Sequence, residues 1–168
     1  MPFSTSRHAL ALRILALADR PELIPVVARW HWDEWGHGDP HGSLDTWTDG
    51  LDRRSRRDRI PISWVAVIGD EPVGSVSLID NDMATHRELW PWLAGLFVVP
   101  GRRAQGIGAA LTAHCEHAAA GFGVRSLYLY TSTAEAFYER RGWRVIGRES
   151  YEGEGVAVMV KGVGTGGQ

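Results

Sequence analysis

Hydrophobic positions change their period several times along this chain, and each change marks an element. Leu10 to Leu17 is a largely apolar run that reads as a first strand, with a helix as the alternative, and it stops at Asp19-Arg20-Pro21-Glu22. Leu23, Val26, Val27 and Trp30 then recur at helical spacing as far as Trp35. Asp19 followed three residues later by Glu22 has the form of a capping box, while Pro25 is tolerated only in a first turn and places the helix start somewhat later. Gly36 to Gly42 is a loop by composition, and Leu44, Trp47 and Leu51 mark a second helix ending near Asp58. Ile62–Ile68 and Val73–Ile79 flank the turn Gly69-Asp70-Glu71-Pro72 and form a hairpin. A polar loop, Asp80 to Pro91, leads into a buried strand over Leu93–Val99. Ile107, Ala110, Leu111, Cys115 and Ala118 make one face of a helix that ends near Gly121. Ser126–Tyr130 is a strand, and Ala134–Arg141 a short helix stopped by Gly142. Trp143–Gly147 and Val156–Val160 close a last hairpin around Gly153-Glu154-Gly155. The order β-α-α-β-β-β-α-β-α-β-β describes a mixed sheet in one α/β (α+β) domain, with its core at about 10–162 and a frayed tail from Gly162.

Composition narrows the class of function. A chain of 168 residues fits one domain with a real core, and 44% apolar with 23% charged residues is ordinary for a soluble globular protein. The net charge of −2 carries no nucleic-acid signature. The basic run Arg53-Arg54-Ser55-Arg56-Arg57 is diluted by Asp52 and Asp58 and reads as a solvated helix face. One cysteine excludes an internal disulfide framework and fits a cytoplasmic, reducing location. No apolar stretch approaches the roughly 18 residues of a membrane span, and Arg7, His8 and Arg13 break any signal-peptide pattern.

The chemistry concentrates in Val98-Val99-Pro100-Gly101-Arg102-Arg103-Ala104-Gln105-Gly106-Ile107-Gly108-Ala109. A strand ends at a proline, a basic glycine-containing turn follows, and a helix begins. Helix starts expose unpaired N–H groups and partial positive charge, so this turn is a candidate seat for a pyrophosphate. A dinucleotide fingerprint would need a third glycine where Leu111 stands, and a place at the first strand of a βαβ unit. The G-x-x-x-x-G-K-[ST] phosphate loop is absent.

Arg103-Ala104-Gln105-Gly106-Ile107-Gly108 resembles the R/Q-x-x-G-x-G/A signature of the GNAT superfamily of acyl-CoA-dependent N-acyltransferases. Ala134-Glu135-Ala136-Phe137-Tyr138-Glu139-Arg140-Arg141-Gly142-Trp143 resembles that family's A-x-x-[LF]-Y-x-[KR]-x-G-[FW] segment, and one helix and one strand separate the two, as the family requires. The resemblance covers about residues 10–162, with its specific part at 93–147, and implies a single N-acetyltransferase domain with a splayed cofactor-binding strand. It implies acetyl-CoA as co-substrate, no metal, and an amine acceptor, either a small molecule or a peptide, attacked directly in a ternary complex. It further implies that Leu96, Phe97 and Val98 pair with the pantetheine arm and that the Val98 N–H serves the thioester oxygen. Arg102 to Ala109 (Arg102, Arg103, Ala104, Gln105, Gly106, Ile107, Gly108, Ala109) would hold the pyrophosphate. Phe137 and Tyr138 would border the cofactor, with Tyr138 protonating the departing thiolate. Two positions depart from the pattern. The family's strand glutamate has no counterpart in Trp92-Leu93-Ala94-Gly95-Leu96, which leaves Glu88, His86, Asp82 and Asp80 of the preceding loop as candidates for the base, Glu88 and Asp82 foremost. Thr131, beside Ser132, stands where an asparagine often contacts the cofactor.

Each candidate also has a plain reading. Tyr138 has packing as its plain alternative to catalysis, the loop acids are solvated charges by default, and Cys115 on an apolar helix face is core. His114 and His117, at helical spacing, lack a third ligand, and His31, His37 and His41 form no ligand motif. Of eight tryptophans, Trp30, Trp32, Trp35 and Trp47 cluster together. Trp30 falls on the core stripe; the others, with Asp33 and Glu34, are candidates to meet a cationic acceptor. A non-catalytic acyl-CoA sensor is the rival from another class, and a second copy of the chain is a candidate partner.

Overall fold

The computed structural model describes residues 10–164. Arg7, His8 and residues 165–168 lie outside them, so the readings placed there have no structural counterpart. Seven strands form one mixed sheet: β1 (Leu12–Ala16), β2 (Ile62–Ile68), β3 (Glu71–Ile79), β4 (Trp92–Val98), β5 (Ser126–Thr131), β6 (Arg144–Tyr151) and β7 (Glu154–Gly162). Their spatial order is β1-β2-β3-β4-β5-β7-β6. Among the described residues four α-helices accompany them: α1 (Ile24–Trp35), α2 (Leu44–Arg53), α3 (Ile107–Gly121) and α4 (Glu135–Glu139). All pairings are antiparallel except β4 with β5.

The central strands are buried on both faces, which is why β2, Ser63 apart, reads as an apolar run rather than an alternation. Alternate residues still separate cleanly between the two faces. Trp64 and Ala66 join Ile107, Leu111, Cys115 and Ala119 of α3, together with Leu127 and Leu129 of β5. Val65 and Val67 meet Val27 and Ala28 of α1 and Leu51 of α2. A smaller cluster on the α1–α2 face gathers Ile79, Met83, Trp92, Ala94, Val156 and Val158.

Several boundaries differ from the sequence reading. Asp19 and Glu22 form no capping box: Asp19 pairs with Arg57 and Glu22 with Arg20. Two short 3₁₀ turns, Leu17–Asp19 and Pro21–Leu23, lead into α1 instead, and Pro25 sits in its first turn, where its missing N–H costs nothing. The true box is on α2. Ser43 Oγ accepts from the Thr46 N–H at 3.1 Å, and Thr46 Oγ1 accepts from the Ser43 N–H at 2.8 Å. That helix stops at Arg53, short of Asp58, because side chains take its last carbonyls. Ser55 Oγ donates to Leu51 O at 2.8 Å and Arg54 Nε to Gly50 O at 3.2 Å. The basic run is thus the exit from a helix, with Arg54 half-buried, rather than a solvated helix face. The last hairpin is longer than read, with its turn at Glu152-Gly153. The chain is not frayed from Gly162, since the Val163 N–H donates to Arg125 O at 2.9 Å.

Candidate functional site

A bulge in β4 opens the sheet. Ala94 pairs with Ser77 and Phe97 with Ser75, so Gly95 and Leu96 together oppose Val76. Gly95 adopts φ +60°, and a Cβ there would stand 3.1 Å from His31 Cε1. The buried His31 pins this bulge from α1. Ser75 Oγ donates to Gly95 O at 3.0 Å, so the His31 Nε2–H donates to Ser75 Oγ at 2.8 Å. Burial, then the nearby Arg54 charge, hold the imidazole down at about 3. A histidine depressed from about 6.5 in the unfolded chain withholds its stabilisation as pH falls through that interval, because only the unfolded state takes up the proton. His31→Gln should therefore flatten the loss of stability between about pH 6.5 and 3 by up to about 1.4 kcal/mol per pH unit, measured by urea unfolding at stepped pH. An unchanged acid slope would contradict this role.

Past the bulge the sheet splits. Trp92 with Tyr128 is the one register pair between β4 and β5, beside a Tyr128 N–H bond to Pro91 O at 3.0 Å. Successive N–H groups of a strand point to opposite edges. The Val99 N–H donates to Val73 O of β3 at 3.0 Å, so the Val98 N–H is turned to the open edge. The Val98 carbonyl, on the same side, accepts from Arg103 Nε at 3.0 Å.

The glycine turn follows. Ala104 (φ 60°) and Gly106 (φ 83°) both take the left-handed conformation, which curls the backbone over the start of α3. Gly106 is the residue before the helix, and no side chain caps it. The N–H groups of Ile107, Gly108 and Ala109 therefore have no intrahelical acceptor. Gly108 packs between elements: a Cβ would lie 3.6 Å from Phe137 and 3.8 Å from Val98. Arg103 and Gln105 are exposed beside the turn, while Arg102 is tied to Glu71 at 3.0 Å.

Tyr138 stands on the α3 side of the sheet, 6% exposed, with ring centroids 5.0 Å from Phe137 and 5.9 Å from Trp143. Burial holds its phenol above the usual range, so it keeps its proton. Among the described residues no protein group bonds its hydroxyl, yet no enclosed side-chain polar atom lacks a partner, so the hydroxyl is not sealed from solvent. Thr131 Oγ1 accepts the Ala134 N–H at 2.9 Å and so shapes the entry to α4; Thr131 and Ser132 border an open cavity of about 390 Å³ with Glu135 and Arg148.

The opposite face carries aromatic and acidic groups. Trp30 stacks on Phe97 at 5.5 Å, and Trp35 meets Phe97 edge-on at 6.3 Å and His31 at 5.1 Å. Asp33 and Glu34 point to solvent. Asp82 is half-buried, and burial pushes its carboxyl up to about 7, against the pull of Arg54 and with Glu152 adding repulsion. Tyr130 of β5 lies within range of Asp82 and Glu152, and its phenol is also pushed up, chiefly by burial. Glu88 is a surface group bonded to His86 at 3.2 Å, with its pKa lowered, and Asp80 accepts from Trp90 Nε1 at 3.0 Å. Of the loop acids, Asp82 alone has the environment of a base poised near neutrality. His31 and Arg54 were not legible as site residues, since each is defined by partners far along the chain. Cys115 is core, with its thiol pushed up by burial, and His114, half-buried, packs against Trp64 at 5.1 Å. Among the described residues no three metal-type side chains converge, and no helix is long and apolar enough to cross a membrane.

Residues 24–143 match the profile of the Acetyltransferase (GNAT) family. The chain belongs to the GNAT acetyltransferase family. The solved structures of GNAT proteins agree with its fold. An aminoglycoside 6′-N-acetyltransferase complexed with coenzyme A superposes with TM-score 0.71 at 18% identity, covering 94% of this chain and 99% of that one. The aminoglycoside 6′-N-acetyltransferase from Enterococcus faecium gives 0.70 at 18% identity with the same coverage, and a GNAT acetyltransferase from Streptococcus pneumoniae 0.67 at 18%, covering 92% and 100%. At these identities the likeness shows the fold. Among curated proteins, none matches the chain significantly in sequence. As a GNAT protein the chain is an acyltransferase, and its mixed sheet and four helices are those of the family.

Proposed function

We propose that this GNAT protein transfers an acetyl group from acetyl-CoA to a primary amine by direct attack across the β4–β5 gap. The observation that carries this reading is the gap between β4 and β5, which leaves the Val98 N–H unpaired on an open strand edge just ahead of an uncapped helix N-terminus. A protonated Tyr138 on the α3 side of the sheet and a carboxyl raised to about 7 on the other face support it. The residues present fit the co-substrate: unpaired N–H groups at Ile107 to Ala109 and the Arg103 cation suit a pyrophosphate, and the open edge of Leu96–Val98 suits an amide-bearing arm. Acetyl-CoA, when bound, supplies the acyl group as a thioester. Asp82 accepts the proton that an ammonium must lose before its nitrogen can attack, since an alkylamine has a pKa near 10. The Val98 N–H donates toward the carbonyl oxygen, where negative charge grows. The Tyr138 hydroxyl gives a proton to the leaving sulfur and is restored by the second proton, which the nitrogen sheds as the amide forms. Trp30, Phe97 and Trp35 would flank the acceptor.

Calorimetry tests the cofactor and thiol release tests the chemistry. Acetyl-CoA should bind where NAD and ATP do not. A panel of an alkylamine, a polyamine, a dipeptide and an aminoglycoside (the last because fold relatives act on that class) should include an acceptor that releases CoA. Binding without release for any amine would leave a sensor. Gly108→Glu should fold, since its Cβ meets only ordinary contacts at 3.6 and 3.8 Å, while placing an anion between Val98 and Phe137. It should weaken acetyl-CoA binding by at least about tenfold, or 1.4 kcal/mol; unchanged affinity would refute the assignment of this turn.

A further inference from the structure

The loop 80–91 reads as a solvated connection, yet the structure fastens it to the C-terminal hairpin from three sides. Met83 is fully buried and packs in the cluster that holds Val156 and Val158 of β7. The Ala84 N–H donates to the Tyr151 hydroxyl at 3.3 Å, 67 residues along the chain. His86 bonds Glu149 of β6 through Nε2 and Glu88 of its own loop through Nδ1. Asn81 Nδ2 donates to His86 O at 3.0 Å, and the His86 N–H to Met83 O at 3.0 Å, so the fastened segment is one tight turn with Asp82 inside it. A surface loop needs none of this to connect two strands.

We propose that the β6–β7 hairpin is the seat that sets the position and dryness of Asp82, with His86 as the positioning residue that bridges the Asp82 loop to Glu149. The proposal rests on the reading of Asp82 as base but is tested apart from it. Asp82 stands next to Met83, and Glu152 in the hairpin turn lies close enough to act on its carboxyl. The hairpin therefore supplies the apolar contact that buries Met83, the residue next to Asp82, and one of the charged neighbours of the Asp82 carboxyl. The groups acting on His86 are Glu149 across the interface and Glu88 on the same loop. Both acids favour its protonated form, so the bridge is a charge-assisted one while His86 is a cation. Above the raised pKa of His86 that charge is lost and the bridge weakens to a neutral hydrogen bond.

The two ways in which His86 could act on Asp82 have opposite signs. As a nearby cation alone, its removal would raise the Asp82 pKa. As a clamp, its removal lets water reach the carboxyl, and the pKa falls toward the ordinary aspartate value. The experiment is a carbon-13 NMR titration of side-chain carboxyls, with the Asp82 signal assigned by its loss in Asp82→Asn, on the intact protein, His86→Ala and Glu149→Gln. The expected result is a fall of at least one pH unit in the Asp82 titration in both variants, with faster hydrogen exchange of the Ala84 amide. The double variant should give little more than either single one, because both break the same bridge. A folded His86→Ala protein in which Asp82 titrates as before, or higher, overturns the proposal. If His86→Ala does not fold, Glu149→Gln and Tyr151→Phe, each of which breaks one tether from the hairpin side, decide it on the same readout. Failure of Asp82→Asn to affect turnover would instead count against the base assignment and leave the titration result standing.

Discussion

Asp82→Asn should lower kcat by about 10²–10⁴-fold near pH 7, the range typical for removing a general base. The carboxyl, with a pKa of about 7, is half-ionised at neutrality, so the parent rate should climb through that pH while the variant stays low. The deficit should shrink at high pH, where free amine becomes abundant without help. The same substitution should stabilise the fold. An aspartate raised from about 4 in the unfolded chain to about 7 in the native one holds its proton more tightly when folded, so stability falls as pH rises through that window. The neutral amide has no such loss: Asp82→Asn should melt close to the parent at pH 4 and higher than it at pH 8. A lower melting temperature at pH 8, or an undiminished rate at pH 7, would contradict the assignment.

Tyr138→Phe should likewise lower kcat by about 10²–10⁴-fold, because the hydroxyl is the proton source at the thiolate. Affinity for acetyl-CoA and thermal stability should stay near the parent values. The ring keeps its contacts with Phe137 and Trp143, and the deleted hydroxyl has no bonding partner among the described residues. Burial holds the phenol protonated throughout the working range, so no part of the pH profile near neutrality should belong to it. Full turnover in the variant would remove the tyrosine from the mechanism, while a variant that fails to fold would show it to be structural.

Elements with strong local signals were legible at nearly their true bounds. Ile62–Ile68 is apolar but for Ser63 because both of its faces are covered, and α3 over Ile107–Gly121 is bounded by glycines. The glycine turn and Tyr138 could be named because their chemistry is carried by short motifs. What sequence did not carry was whatever depends on distant partners. The bulge at Gly95 needs Ser75 and His31, the latter 44 residues from its serine, and no local pattern announces the pairing. The α1 capping box failed because Arg57, far along the chain, took Asp19, and α2 ended early because Ser55 and Arg54 turned back onto its carbonyls. Asp82 could not be ranked above Glu88 from composition, since only burial separates them.

The lone pairing between β4 and β5 also bears on how this chain opens. Every other strand pair lies wholly within residues 12–98 or wholly within 126–162. The sheet is thus two ladders, each confined to its own half of the chain, welded at one rung and strapped by α3. The weld is the sparsest part of the backbone lattice, so the two halves are natural cooperative units for local opening.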